Sequence, residues 1–405
     1  MTRVAVTGLG LVCALGENVA ECWQTLCQGE TRILPLADPG NPPYKIRCGA
    51  EVRGFEPLKH FSEKDLLLLE RFAQFATVAA REAIAQSGLR FGSDHLSDET
   101  AIITGTSLGG QFTEEEGYKR LYKEGNSRVS PLTIPRTMSN AGASRISLEF
   151  GIRGPVYTIS TACSSSNHAL GQAFWLVRSG QVKAAIAGGS EAVFAEGLLR
   201  AWEAMRVVAP DVCRPFSADR KGLSLGEGGA MLVLENWAHA QARGADILAE
   251  ICGFGMSSDA YHITQPSPEG PVKAMQWALR DASCCPAQVN YINAHGTGTQ
   301  VNDAIETEAI RTVFGENAKR LLISSTKSMH GHTLGAAGAL EAVATVLTLK
   351  YGIVPPTANF TAPDQSSRDL DVVPNLAREA QVGIAVSNTF AFGGLNATLV
   401  LRKAQ

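Results

Sequence analysis

No Cys-x-x-Cys pair occurs anywhere in the 405 residues, although the chain holds nine cysteines. An odd number of thiols at irregular spacing excludes a regular disulfide framework and a zinc ribbon. Reduced thiols are the expectation. No run of 18 or more apolar residues is present, so no membrane span is expected. Basic residues are not in excess: 36 Lys and Arg stand against 39 Asp and Glu, a formal net charge of −3. That balance excludes the cationic footprint of a nucleic-acid binder. The opening "MTRVAVTGLGLVCALG" lacks the layout of a signal peptide, and a cytoplasmic location is expected. Its glycines at 8, 10 and 16 miss the GxGxxG spacing, so no dinucleotide loop and no cofactor is expected.

What is present is an ordinary globular composition, 45% apolar and 19% charged. Short β-branched runs alternate with longer amphipathic ones, the signature of an α/β chain. "RVAVTG" (3–8), "TAIITG" (100–105), "KAAIAGG" (183–189) and "NYINAHG" (290–296) read as strands ending at a glycine. Segments 69–88 and 167–181 read as helices. An internal echo pairs "GGAMLVLE" (228–235) with "GGLNATLVLR" (393–402). Upstream of each lies a strand, a hydroxyl-rich turn and a small-residue helix. The pattern predicts two related halves, 1–245 and 246–405.

The hydroxyl-rich turn of the first half is "TISTACSSSNH" (158–168). Cys163 falls between a strand and a helix, where free N–H groups and the helix dipole lower a thiol pKa. It reads either as a nucleophile or as a small buried residue. Ser164, Ser165 and Ser166 read as caps and first-turn residues, and a serine nucleophile in a GxSxG motif is not expected in this chain. His295 in "NAHGTGTQ" follows a strand end, where ligands sit in α/β folds, yet a lone histidine can be purely structural. "STKSMHGHTLGAAGALE" supplies Lys327, His330, His332 and Glu341. The HxH pair lacks a third ligand at usual spacing, so no metal is expected.

These segments together resemble the β-ketoacyl-acyl carrier protein synthases, on the synthase II and type II polyketide ketosynthase branch. The likeness spans the whole chain through "VAVTGLG", "GTSLGG", "RGPVYTISTACSSS", "SSDAYHIT", "NAHGTGTQVND", "STKSMHGHTLGAAGALE" and "NTFAFGGLN", in that order. The resemblance implies a thiolase fold: duplicated βαβαβαββ halves in a five-layered αβαβα core. It implies Cys163 as the acyl-accepting nucleophile and His295 and His332 as the histidine pair. Lys327 and Glu341 would be a supporting ion pair, and Phe392 the gating phenylalanine, whose N–H would join that of Cys163 in an oxyanion hole. Thr297, Thr299 and Thr264 would line the pantetheine tunnel, Arg206 would lie near the carrier's phosphate, and Leu108 at the acyl pocket. His330 would be a bystander. The implied reaction is decarboxylative condensation of malonyl-acyl carrier protein with the Cys-bound acyl group. A thiolase is disfavoured because the last cysteine is Cys285, and a chain-length-factor subunit because Cys163 is present.

Partners implied are an acyl carrier protein and a second subunit across the 130–140 face, in a homodimer or a heterodimer with a chain-length factor. Two departures stand out. Ala391 replaces the glycine before the gating phenylalanine, which stiffens that loop. In "SEKDLLLLERF" (62–72) only Lys64 and Arg71 remain of the basic residues of a carrier-docking helix. The reading is either a misjudged core face or an apolar contact with a specialised partner. A specialised polyketide, polyene or modified-lipid pathway is therefore expected before housekeeping fatty-acid elongation.

Overall fold

The computed structural model describes residues 2–92 and 95–404. Strand β1 (Val4–Cys13) does not stop at Gly8 but runs through both early glycines. Gly8 and Gly10 are needed because helix α1 (Arg71–Ser87) crosses very close to the strand. A Cβ there would lie 2.0 Å from the Ala83 carbonyl oxygen and 1.8 Å from that of Ala79. These glycines serve close packing, not a phosphate loop.

Nine further strands complete one mixed sheet: β2 (Thr100–Gly105), β3 (Val156–Ile159), β4 (Ala184–Glu191), β5 (Gly228–Asn236), β6 (Ala249–Ser258), β7 (Tyr291–Asn293), β8 (Leu322–Ser324), β9 (Ile384–Ala391) and β10 (Leu395–Lys403). Their order is β8-β7-β9-β10-β6-β1-β5-β4-β2-β3. Read outward from the β1–β6 junction, one side runs 1-5-4-2-3 and the other 6-10-9-7-8. The same order and the same parallel or antiparallel pairings repeat on both sides. Only Val4–Val6 against Ala249–Ile251 joins the two sides.

Alternation of side chains along the strands builds the layers. On β4, Ala184 and Ile186 pack into the core shared with α1, while Ala185 and Ala187 face α2 (Ser165–Arg178) and α5 (Ala337–Tyr351). On β9, Ala385 joins that same central core. Its neighbours Ile384 and Val386 face α3 (Glu269–Asp281) and α4 (Gln300–Phe314). The succession is helix, sheet, helix, sheet, helix. α2 and α5 form the middle layer, and thirteen of the fifteen residues of α5 are buried. Leu334–Tyr351 meets the length and mean composition of a membrane-crossing helix, although it is not a contiguous apolar run. It is 89% buried inside the protein, so its apolar character is that of a core helix.

Candidate active site

Cys163 sits on the elbow between β3 and α2, and the serines around it hold that elbow in shape. Ala162 is forced to φ +50°, a region costly for a side chain bearing a Cβ. Ser165 Oγ donates to the Ala162 carbonyl at 2.6 Å and accepts from Thr161 N–H at 2.9 Å. Ser164 occupies the N-cap position of α2, but its hydroxyl donates backward to the Thr161 carbonyl at 2.8 Å instead of capping. Ser166 Oγ accepts from the Ala339 N–H of α5 at 2.9 Å, tying the two central helices together. His168, in the first turn, hydrogen-bonds Thr161 Oγ1 and the Ser164 carbonyl through Nδ1, each at 3.0 Å.

Burial pushes the Cys163 thiol up to about 12, against the opposing field of Lys327 and the N–H groups of Phe392 and Cys163. This reverses the expectation of a lowered pKa at the helix start. A helix N-terminus contributes about 0.3–1 kcal/mol, less than a tenfold change in acidity. Loss of hydration around a fully enclosed thiolate costs more. At neutral pH the Cys163 side chain is a thiol.

His295 lies just beyond β7 in a loop fastened by Glu306 of α4. The His295 and Gly296 N–H groups donate to its two oxygens at 2.8 and 2.7 Å. Asp303, one turn earlier on α4, accepts from Gly298 N–H at 3.2 Å and Phe216 N–H at 2.8 Å. His332 Nδ1 accepts from Leu334 N–H at 3.2 Å, which leaves the ring proton on Nε2. Desolvation first, and the Lys327 charge second, hold His295 and His332 well below 6.5, so both are neutral at pH 7. His330 turns away: Nδ1 meets the Gly331 carbonyl at 2.7 Å and Nε2 meets Thr326 Oγ1 at 3.0 Å. Lys327 Nζ is ion-paired to Glu341, and both side chains are fully enclosed. Burial raises Glu341 to about 7, with Lys327 pulling the other way.

A cavity of about 410 Å³ brings Cys163, His295, His332, Thr297 and Phe392 to one lining. Thr264, Thr299 and Arg206 line it as well, and Arg206 and Thr264 are exposed at its mouth. Phe392 stacks on Trp202 with centroids 6.3 Å apart. Leu108 is not among the lining residues but packs into the apolar cluster around Cys163 and Trp202. Lys327 and Glu341 stand behind the wall.

The chain matches two family models: "Beta-ketoacyl synthase, N-terminal domain" over residues 1–240 and "Beta-ketoacyl synthase, C-terminal domain" over 248–361. It belongs to the β-ketoacyl synthase family. Among curated relatives, Nodulation protein E of Rhizobium sp. (strain N33) is 45% identical over 401 residues, 99% of each chain. The 3-oxoacyl-[acyl-carrier-protein] synthase 2 of Staphylococcus aureus (strain N315) is 40% identical over 408 residues, 99% of this chain and 98% of that one. Among solved structures, the ishigamide ketosynthase/chain length factor superposes with a TM-score of 0.94 at 35% identity over 100% of both chains. A type II polyketide ketosynthase complexed with its acyl-carrier protein (AntDE:AntF) gives 0.90 at 31% identity, again over 100% of both. The chain is a β-ketoacyl-acyl carrier protein synthase with the thiolase-type fold of these neighbours.

In this synthase the sequence reading missed Glu306 and Asp303. The available signal was an acidic pair three residues apart, which share one helix face, directly after the "HGTGT" turn. The expectation that no Gly-x-Ser-x-Gly motif is present is corrected by the Gly105–Gly109 run "GTSLG". Ser107 Oγ there is buried with no hydrogen-bond partner among the described residues, hence with none of them as the base a serine nucleophile requires. Segment 62–72 also differs from the expectation. Arg71 is turned inward, paired with Glu227 at 2.6 Å, and is not available to a carrier. Leu69 is buried, whereas Leu67 and Leu68 are 60% and 45% exposed, so the leucine run is not simply a core face.

Proposed function

We propose that this β-ketoacyl synthase condenses a malonyl unit, delivered on an acyl carrier protein, with an acyl group held on Cys163. The observation that carries the reading is that one cavity, open at the Arg206–Thr264 mouth, is lined by a thiol and two neutral imidazoles. The Cys163 sulfur attacks a carrier thioester and the carrier thiol leaves, dividing a hard carbon–carbon bond formation into two steps. The malonyl thioester then loses carbon dioxide, and negative charge develops on its carbonyl oxygen. His332 Nε2–H, with His295 beside it, stabilises that enolate without carrying a charge of its own. The enolate carbon attacks the acyl thioester on Cys163, and the N–H groups of Cys163 and Phe392 hold the second oxyanion. The carbon–sulfur bond breaks and a β-ketoacyl carrier leaves. Thr297, Thr299 and Thr264 flank the carrier's arm, Arg206 meets its phosphate, and Leu108 borders the acyl chain.

The pathway proposed is a specialised one making a polyketide, a polyene or a modified fatty acid. Ala391 at the gate, "HGTGT", and Leu67 and Leu68 where docking cations are expected all favour it. So does the 45% identity to Nodulation protein E. Housekeeping elongation is the second reading, favoured by the 40% identity to a 3-oxoacyl synthase 2. The protein works as a dimer across the 130–140 face, where Ile134 and Met138 are exposed. Its second subunit is a copy of itself or a chain-length factor.

The test is reconstitution with an acyl carrier thioester and malonyl-carrier. A β-ketoacyl carrier two carbons longer, with one carbon dioxide released, is expected. Unchanged carriers would overturn the reading. Comparing the housekeeping carrier with the host's other carriers separates the two pathways, and native mass measurement from the host identifies the second subunit.

A further inference from the structure

Glu191, the last residue of β4, is a fully buried carboxylate with no cation in ion-pair range among the described residues. Four donors satisfy it instead. Oε1 accepts from Thr106 Oγ1 at 2.8 Å and from Leu108 N–H at 3.3 Å. Oε2 accepts from Ser107 N–H at 2.6 Å and from Gly335 N–H at 3.1 Å. The first three donors belong to the loop after β2 that carries Leu108 toward the Cys163 cluster. The fourth belongs to the loop after His332.

The contact between those loops is tight. A Cβ on Gly335 would lie 2.4 Å from Ser107 N and 2.7 Å from Glu191 Oε2. Leu334, immediately before it, is held at φ +44°, a conformation that needs outside support. The Leu334 N–H is the group that donates to His332 Nδ1. One carboxylate therefore anchors the peptide next to the donor that fixes the tautomer of His332.

We propose that Glu191 is a positioning residue: it clamps the Leu108 loop to the 334–335 turn and so keeps the Nε2–H of His332 turned toward the reacting thioester. This rests on the condensing-enzyme reading above. Replacement by Ala leaves three N–H groups buried without acceptors and frees the turn. Replacement by Gln retains one carbonyl oxygen for Ser107 and Gly335, and its NH2 can donate to the Thr106 hydroxyl, which can rotate to accept, while only the longer Leu108 N–H contact is lost. The acceptor on the His332 side is thereby kept.

The experiment measures carbon dioxide release from malonyl-carrier in a Cys163→Gln background, which removes acyl transfer from the readout. Glu191→Ala is expected to lower the maximal rate at least tenfold with the malonyl-carrier KM within twofold. Glu191→Gln is expected to restore the rate to within threefold of the parent. Nitrogen-15 spectra of histidine-labelled protein should show the His332 Nε2–H tautomer retained in the Gln variant, a readout that survives if the Ala variant does not fold. A folded Ala variant with an unaltered rate would overturn the assignment. So would a folded Ala variant in which the His332 Nε2–H tautomer is unchanged. Failure of the Cys163→Gln parent itself to release carbon dioxide would instead count against the condensing-enzyme reading.

Discussion

The rings of His295 and His332 meet edge to face, with centroids 5.4 Å apart and planes at 84°. They arrive from two neighbouring parallel strands, His295 after β7 and His332 after β8. Neither pairs with a carboxylate among the described residues, and the nearby Lys327 charge opposes protonation of both. Both are neutral at pH 7.

A flat pH profile follows for carbon dioxide release. An imidazole at its ordinary value is half protonated near pH 6.5. His295 and His332 lie well below that, so the neutral form persists on acidification. Glu341, at about 7, protonates within the range, but this leaves the Lys327 charge less compensated and depresses the histidines further. In Cys163→Gln protein the maximal rate is expected to stay within twofold from about pH 8 to about pH 6. A twofold or larger loss centred near pH 6.5 would contradict it.

Alkylation of Cys163 should report a buried thiol. With its pKa pushed to about 12, the thiolate fraction grows about tenfold per pH unit across the accessible range. Iodoacetamide labelling of the free enzyme, resolved by peptide mass from the exposed Cys285, should rise with that slope from about pH 7 to about pH 10. A plateau beginning near neutrality would indicate the lowered pKa suggested by the helix position alone.

Lys327→Met is expected to destabilise the fold by about 3–5 kcal/mol, because it strands Glu341 in a fully buried site. Adding Glu341→Leu should recover most of the loss, since removing both partners removes the unpaired charge. Urea unfolding of the two variants checks this. A double variant no more stable than the single one would show that the pair does more than cancel its own burial.

Much of the fold was legible because buried strands and the middle helices leave repeated apolar runs, and the echo at 228 and 393 mirrors the strand order. Cys163, His295 and His332 could be singled out because glycines and hydroxyls cluster where the chain turns tightly. Other features are set by three-dimensional surroundings that local sequence does not carry. The Cys163 pKa depends on enclosure by chain more than 200 residues away, including Phe392. Glu191 and Glu306 look like ordinary strand and helix acids until their backbone donors are seen. Arg71 looked like a surface cation because nothing near it in sequence reveals Glu227. Gly8 and Gly10 resembled a loop because only the crossing of α1 explains them.

The central claim is that Cys163 carries the acyl group. Incubation of the enzyme with an acyl carrier thioester, followed by digestion and mass measurement, tests it most directly. The account predicts one acyl increment, confined to the peptide bearing Cys163 and absent after Cys163→Gln. An increment on any other residue, or acylation that survives that substitution, would contradict it.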